Sequence, residues 1–406
     1  MTPRLTLDPV RLGRIKTWMQ AYVDTRKFAG SSVLITQGGD EVFSHCTGLR
    51  DTDANLPFTR NTVARIYSMT KPITSVALMM LVERGLTHLD APVSDFLPGF
   101  RDMQALIPDA TDISQTRPCA TPTLHLLLTH TSGFSYPFNP GVLPRAMEAV
   151  DLLFKPTQGT LADVTNQLAE FPLAFRPGER WEYSVGIDVI GRVIEVITGK
   201  SLEAVFAEDI FAPLAMKNTG FTAPQGAEFA SLYTPLAGDA MALNAAQEGG
   251  EPLRKVDAAG SSVFENTTLY SGGGGLVGTI DDYMSFVEML RRGGTGDIGR
   301  LLSPSTIAFM RQNHLPGDIA SMGPKSFAEQ PMDGTGFGLG GSVVLTPALT
   351  RVPSSIGDFS WGGMASTFFW LDPVHDFNVV FFTQLSPSSS YPARPELKAM
   401  IHGSLI

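Results

Sequence analysis

Segments with the pattern of β-strands stand at the two ends of this chain, and few occur between them. Near the start, Ser31 to Thr36 is β-branched and alternating, and Glu41 to Cys46 follows it across the turn Gly38-Gly39-Asp40. Near the end, Phe337 to Leu345, Ser366 to Leu371 and Phe377 to Thr383 read as short strands, the last two separated by Asp372-Pro373. Strands at both termini with helices between suggest one sheet completed by the two chain ends around an inserted helical region. The boundaries fall near residues 90 and 265, giving an α/β domain of residues 1–90 and 265–406 and a helical insertion domain of residues 91–264. At 406 residues and 43% apolar content the chain can fill a core of that size.

Helical periodicity supports the same division. Leu12, Ile15, Trp18, Met19 and Tyr22 form an amphipathic stretch before the first strand, and Ile73, Val76, Ala77, Met80 and Leu81 recur at three and four within Thr70 to Arg84, with Gly85 as a stop. In the middle, helices are expected over Leu124 to Leu128, over Leu161 to Leu168 behind the capping box of Thr160 and Asp163, over Ile187 to Ile197 closed by Gly199, and over Leu202 to Phe211.

Several function classes drop out on composition. Forty acidic against thirty basic residues give a net charge of -10, with the basic residues scattered, so nucleic acid and anionic membranes are not expected partners. The run Val76 to Val82 is far too short to cross a bilayer. Charge is interleaved through the opening MTPRLTLDPVRLGRIKTW, unlike a secretory signal, and a cytoplasmic address is expected. Cys46 and Cys119 are expected to be free thiols. Seven histidines contain no H-E-x-x-H pair, and no G-x-S-x-G elbow occurs. Gly273 to Gly278 fits G-x-G-x-x-G formally, but no βαβ unit surrounds it, and a helix opens only afterwards, at Thr279 and Asp282; close backbone packing explains these glycines better. No metal or organic cofactor is expected.

Three motifs carry chemistry. Ser68 and Lys71, three residues apart at a helix start, share one face, so the amine can reach the hydroxyl, and the helix N-terminus favours an oxyanion there. Among nine lysines only Lys71 has a serine at that offset; the same pattern also describes an N-cap serine beside a solvated lysine. Tyr183 follows the turn Arg176-Pro177-Gly178-Glu179 and precedes a helix. It can act as a base only if its pKa falls from ~10 toward 7, about 4 kcal/mol, which a cationic lysine could supply. In Trp361-Gly362-Gly363-Met364 the glycines allow close approach on an edge strand, and the Met364 N–H, paired with that of Ser68, would make an oxyanion hole. A bulge under a packed tryptophan fits that segment equally.

Taken in order, Tyr67-Ser68-Met69-Thr70-Lys71, Leu127 to Gly133, Pro177-Gly178 before Tyr183-Ser184, Gly272 to Gly275 before Leu276, and Trp361-Gly362-Gly363 resemble class C β-lactamases, and more closely the family VIII carboxylesterases and a related statin-side-chain acyltransferase. The resemblance covers residues 25 to 385. It implies a β-lactamase-like α/β fold, an antiparallel sheet flanked by helices, and a Ser68 nucleophile activated by Lys71 and Tyr183. Tyr136 matches a pocket tyrosine of the esterases, and with Trp361, Gly362 and Gly363 it is expected to contact substrate. This chain departs from the lactamases where they carry Tyr-x-Asn and Lys-Thr-Gly: it has Tyr183-Ser184-Val185 and Trp361-Gly362-Gly363. The amide and the cation that would hold a lactam are replaced, and an apolar wall suits neutral esters. The expectation is a serine esterase acting on short-chain, relatively apolar small-molecule esters. An acyltransferase, a weak β-lactamase or D-amino-acid peptidase, and a non-catalytic penicillin-recognition module are the alternatives.

Overall fold

The computed structural model describes residues 5–235, 253–328 and 330–406. Both chain ends enter one sheet. After helix α1 (Arg14–Asp24), strands β1 (Gly30–Gln37), β2 (Asp40–Asp51) and β3 (Leu56–Pro57) run antiparallel. Five more come from the far end: β4 (Thr335–Phe337), β5 (Ser342–Val344), β6 (Phe359–Gly362), β7 (Phe368–Asp372) and β8 (Phe377–Thr383). The order is β4-β5-β6-β7-β8-β1-β2-β3. The ends join where β1 pairs with β8, from Ser31 opposite Thr383 to Gln37 opposite Phe377.

All eight residues of β1 are buried because both faces of the sheet are covered. Val33 and Ile35 point with Phe368, Trp370, Phe377, Val379 and Phe381 into a core shared with Ile15, Met19, Leu397 and Ile401. The alternate positions Leu34, Phe369, Leu371, Val380 and Phe382 belong to the larger core on the other face. There lie α2 (Thr70–Glu83) and, beyond it, α3 (Leu124–Leu128), α4 (Leu161–Leu168) and α5 (Gly186–Thr198), while α6 (Ile280–Arg291) packs directly on β1 and β8; α7 (Ala393–His402) covers the first face. Truncating Phe381 or Phe382 to alanine would cost about 3–5 kcal/mol.

Helix α2 positions the chemistry. Every residue from Thr70 to Leu81 is buried, so it is a core helix apolar on all sides rather than a surface helix with one apolar stripe. Pro72 sits in its first turn, where the missing N–H costs nothing. The expected capping box of Thr160 and Asp163 is present on α4. At α6 only half of the pattern forms: Thr279 accepts from the Asp282 N–H, while the Asp282 carboxylate turns away to accept from the Asn218 N–H at 2.7 Å and the Thr219 hydroxyl at 2.9 Å.

Three expected elements differ. Phe337 to Leu345 is not one strand: the chain reverses between β4 and β5, pairing Phe337 with Ser342. Strand β7 begins only at Phe368, since Ser366 has a φ of 59° and belongs to the turn before it. Leu202 to Phe211 is α-helical only to Phe206 and then widens into a π-type turn over Ala207–Phe211. Among the described residues no helix is long and apolar enough to cross a membrane.

Candidate active site

Ser68 lies where the chain passes from the core bridge Ala64–Arg65, paired with Val277–Gly278, into a tight turn, Tyr67–Met69, that leads into α2. The turn forces Tyr67 to a φ of 42°, a conformation side-chain-bearing residues seldom adopt. Arg65 holds the segment from behind: it is fully buried, pairs with Asp257 at 2.6 Å and donates to the Ala230 carbonyl at 2.6 Å. The serine stands just before the helix, so the helix dipole and the free N–H groups of its first turn face the same space.

One turn on, the Lys71 amine lies 3.2 Å from Ser68 Oγ and donates to the Gly273 carbonyl at 2.7 Å and to Tyr136 Oη at 3.0 Å. It has no solvent exposure. Burial penalises the ammonium and brings its pKa down to about 7, against an opposing pull from Asp188. Asp188, equally buried on α5, does not touch the lysine; it accepts from the Gly273 N–H at 2.9 Å, from the Ser271 hydroxyl, and from Tyr136 Oη at 3.4 Å. Gly273 has no room for a side chain, because a Cβ would lie 2.2 Å from Asp188 Oδ2. The glycine run is therefore close packing beneath the serine, as expected from its sequence context.

Tyr183 donates to Ser68 Oγ at 2.6 Å. Its backbone carbonyl accepts from Asn139 Nδ2 at 2.8 Å, and its ring packs among His130, Tyr136, Phe327 and Trp361 at centroid distances of 4.8, 5.1, 4.9 and 5.5 Å. Burial pushes its pKa well above the usual phenol value. This corrects the electrostatic argument made from sequence. A cationic lysine was expected to lower the tyrosine; instead burial makes Lys71 the group that loses its proton most readily, and Tyr183 keeps its own. Neighbouring His130 is buried and held neutral by desolvation, with Nδ1 engaged by Ser184.

The Trp361 segment closes the other side. Strand β6 lies inside the sheet, not at its edge, but its pairing with β5 stops at Ser360, so Trp361 and Gly362 pair only with Phe369 and Phe368 of β7. The edge predicted from sequence exists locally. Gly363 abuts the chain leading into Ser68: a Cβ there would lie 2.2 Å from the Ile66 carbonyl oxygen. Met364 follows it and lines the same cavity as Ser68. Ser68, Tyr183, Trp361, Gly362, Gly363 and Met364 line one cavity of about 330 Å³, with Phe138, Phe154, Phe264, Phe327 and Met332 as its apolar walls. Tyr136 also lines it, though its hydroxyl is committed to Lys71 and Asp188.

Tyr183, distant in sequence, thus converges with Ser68 and Lys71 within hydrogen-bonding reach of the serine oxygen, and the residues expected to contact substrate line the same cavity. Sequence reasoning missed Asp188, Ser271 and the Gly273 carbonyl. The available signal was Asp188 itself, a carboxylate among Ile187, Val189 and Ile190 on the apolar start of α5.

The Beta-lactamase family matches residues 15–401. Esterase EstB of Burkholderia gladioli is 32% identical over 369 residues, covering 88% of this chain and 86% of that protein. Among solved structures, EstCE1, described as a hydrolase with promiscuous acyltransferase activity, superposes with a TM-score of 0.77 at 28% identity over 98% of both chains. Simvastatin synthase (LovD) from Aspergillus terreus superposes with a TM-score of 0.77 at 26% identity, also over 98% of both chains.

Proposed function

The chain belongs to the beta-lactamase family, and from that premise we propose that it is a serine esterase working through an acyl-enzyme on Ser68. The observation that carries this reading is the convergence on one oxygen: Ser68 Oγ lies 2.6 Å from the Tyr183 hydroxyl and 3.2 Å from the Lys71 amine. Lys71, with a pKa of about 7, takes the serine proton as Oγ attacks the ester carbonyl. The N–H groups of Ser68 and Met364 hold the oxyanion. Tyr183, protonated, gives its proton to the departing alkoxide and is reprotonated by the Lys71 ammonium, 4.5 Å from its ring centroid. Water repeats the sequence to release the acid.

Carboxylic esters with apolar acyl groups suit the aromatic walls and Trp361. The names of EstB and EstCE1 support hydrolysis. Acyl transfer is the second reading, favoured by the description of EstCE1 and by the name of simvastatin synthase; it needs only an alcohol or amine in place of water. A cytoplasmic address is supported by the two unpaired cysteines, and fractionation of cells expressing the protein checks it. Intact-mass spectrometry after exposure to 4-nitrophenyl butyrate or a serine-directed phosphonate tests the central assignment. The adduct is expected on Ser68, and a label on another residue, or Ser68→Ala with undiminished turnover, would sink it.

A further inference from the structure

We propose that Asp188 is a positioning residue that sets the direction of the hydrogen bonds around Lys71 and so keeps the lysine lone pair aimed at Ser68. The proposal rests on the esterase reading of that site and adds to it a buried group whose hydrogen bonds go to Ser271, Gly273 and Tyr136 rather than to the nucleophile.

Counting protons gives the direction. The Asp188 carboxylate faces three donors, the Ser271 hydroxyl, the Gly273 N–H and the Tyr136 hydroxyl, as an ionised acid requires. With its proton committed to Asp188, Tyr136 presents only lone pairs to Lys71, at 3.0 Å. The Gly273 carbonyl, at 2.7 Å, can likewise only accept. A neutral amine has two hydrogens, and these two acceptors take both. The lone pair is left for the third neighbour, Ser68, the one partner of the three with a proton to give. Gly273 couples the two sides, donating to Asp188 through its N–H while accepting from Lys71 through its carbonyl. If Asp188 could not accept, the Tyr136 proton would be free to turn onto the Lys71 lone pair and compete with the serine. No bond is made or broken at Asp188.

Asp188→Asn tests this, measured with the full-length protein and 4-nitrophenyl butyrate. The expected result is a 10- to 100-fold fall in kcat with KM within threefold. The acidic limb of the pH profile should also move to lower pH, because the charge that favours the ammonium is gone. The groups facing Lys71 are Asp188, Tyr136, Tyr183 and His130. Three of the four are unchanged in the variant, so the shift reports the carboxylate. In a Tyr136→Phe background the competing proton is absent, and the same substitution should cost less than fivefold. A kcat loss with an unmoved limb, or an equal loss in both backgrounds, overturns the proposal and leaves Asp188 a packing residue.

Should Asp188→Asn not fold, Ser271→Ala provides the opposite sign. It strips one donor from the carboxylate, strengthens its hold on Tyr136, and should move the limb up; an unmoved limb or one moved down overturns the proposal. If no variant and not the parent protein turns over any ester, the esterase reading itself has failed, a result distinct from each of these.

Discussion

Among the described residues a lysine stands near a fully buried aspartate on each face of the sheet, and the two meetings are built differently. Between α7 and the start of β6, Lys398 Nζ lies 2.8 Å from the carboxylate of Asp358. Asp358 is fully buried, and desolvation raises its pKa to about 6 against the pull of the lysine. At the active site Lys71 and Asp188 are both buried, yet a phenol and a peptide group stand between them. Direct pairing ties α7 to the start of β6 and makes a structural clamp. Separation leaves the lysine desolvated without a counter-ion in contact, and that makes a base near neutral pH.

The contrast is broken or upheld most sharply by reciprocal substitutions. Lys71→Met is expected to lower kcat/KM by about 10³- to 10⁴-fold, the loss of the general base, while leaving the denaturant midpoint unchanged or raised, because an apolar chain of similar volume no longer carries a desolvation cost. Asp358→Asn is expected to act on the fold instead: it removes the carboxylate that Lys398 pairs with, so the urea midpoint should move while turnover per folded molecule stays within threefold. Urea titration and initial rates on the two proteins decide it. If both variants lose both properties alike, the clusters do not differ as argued.

The next effect is read as pH. Activity should rise as pH increases through about 7, where Lys71 loses its proton, and fall tenfold for each unit below that limb. No alkaline limb from Tyr183 should appear within the range where the fold survives, since burial pushes that phenol upward. A limb near the ordinary lysine value would show that Lys71 is solvated during turnover, and the separation of charges would then have no consequence.

Gly363→Ala is expected to reduce kcat by about 10- to 100-fold with little change in the Lys71 limb, because its methyl would press the Ile66 carbonyl and carry Met364 away from the serine. Rates and pH profile together separate a displaced oxyanion donor from a disturbed base. This residue also marks how far the sequence could be read. The spacing of Ser68 and Lys71, the turn before Tyr183 and the glycines beside Trp361 were legible as a set, through the order in which they resemble the family, since each alone fits a structural role equally; the sheet joined by both termini was legible from strand patterning. Asp188 was passed over, since a carboxylate in a helical first turn is normally a solvated dipole partner; its apolar neighbours pointed to burial, but only packing places it beneath a lysine 117 positions earlier. The role of Lys71 was misjudged for a related reason. Only the apolar residues recurring at three and four were read, although Thr70 to Val82 contains no charge besides Lys71, a composition that fits burial on every side. The reversal between β4 and β5 was missed because one apolar run with glycines inside it does not announce its turn.

The smallest expected effect concerns a third arrangement, two like groups sharing one hydrogen bond. His125 Nε2 and His314 Nδ1 are 3.1 Å apart, and His314 Nε2 lies 2.9 Å from the Phe309 carbonyl. That carbonyl can only accept, so His314 carries its proton on Nε2 and accepts through Nδ1 from His125, with both rings neutral. Burial lowers both pKa values; His314 adds to the effect on His125, while the Phe309 carbonyl opposes it at His314. For a base whose proton affinity is depressed on folding, the unfolded chain binds more protons, so stability falls as pH drops through the unfolded value near 6.5. Both rings are partly exposed, and solvent screening reduces the contribution to the order of 0.5 kcal/mol. Urea midpoints between pH 7.5 and 5.5 should decline less steeply in His314→Gln than in the parent protein. Identical slopes would mean that the pair, unlike either lysine and aspartate cluster, contributes nothing that depends on its protonation.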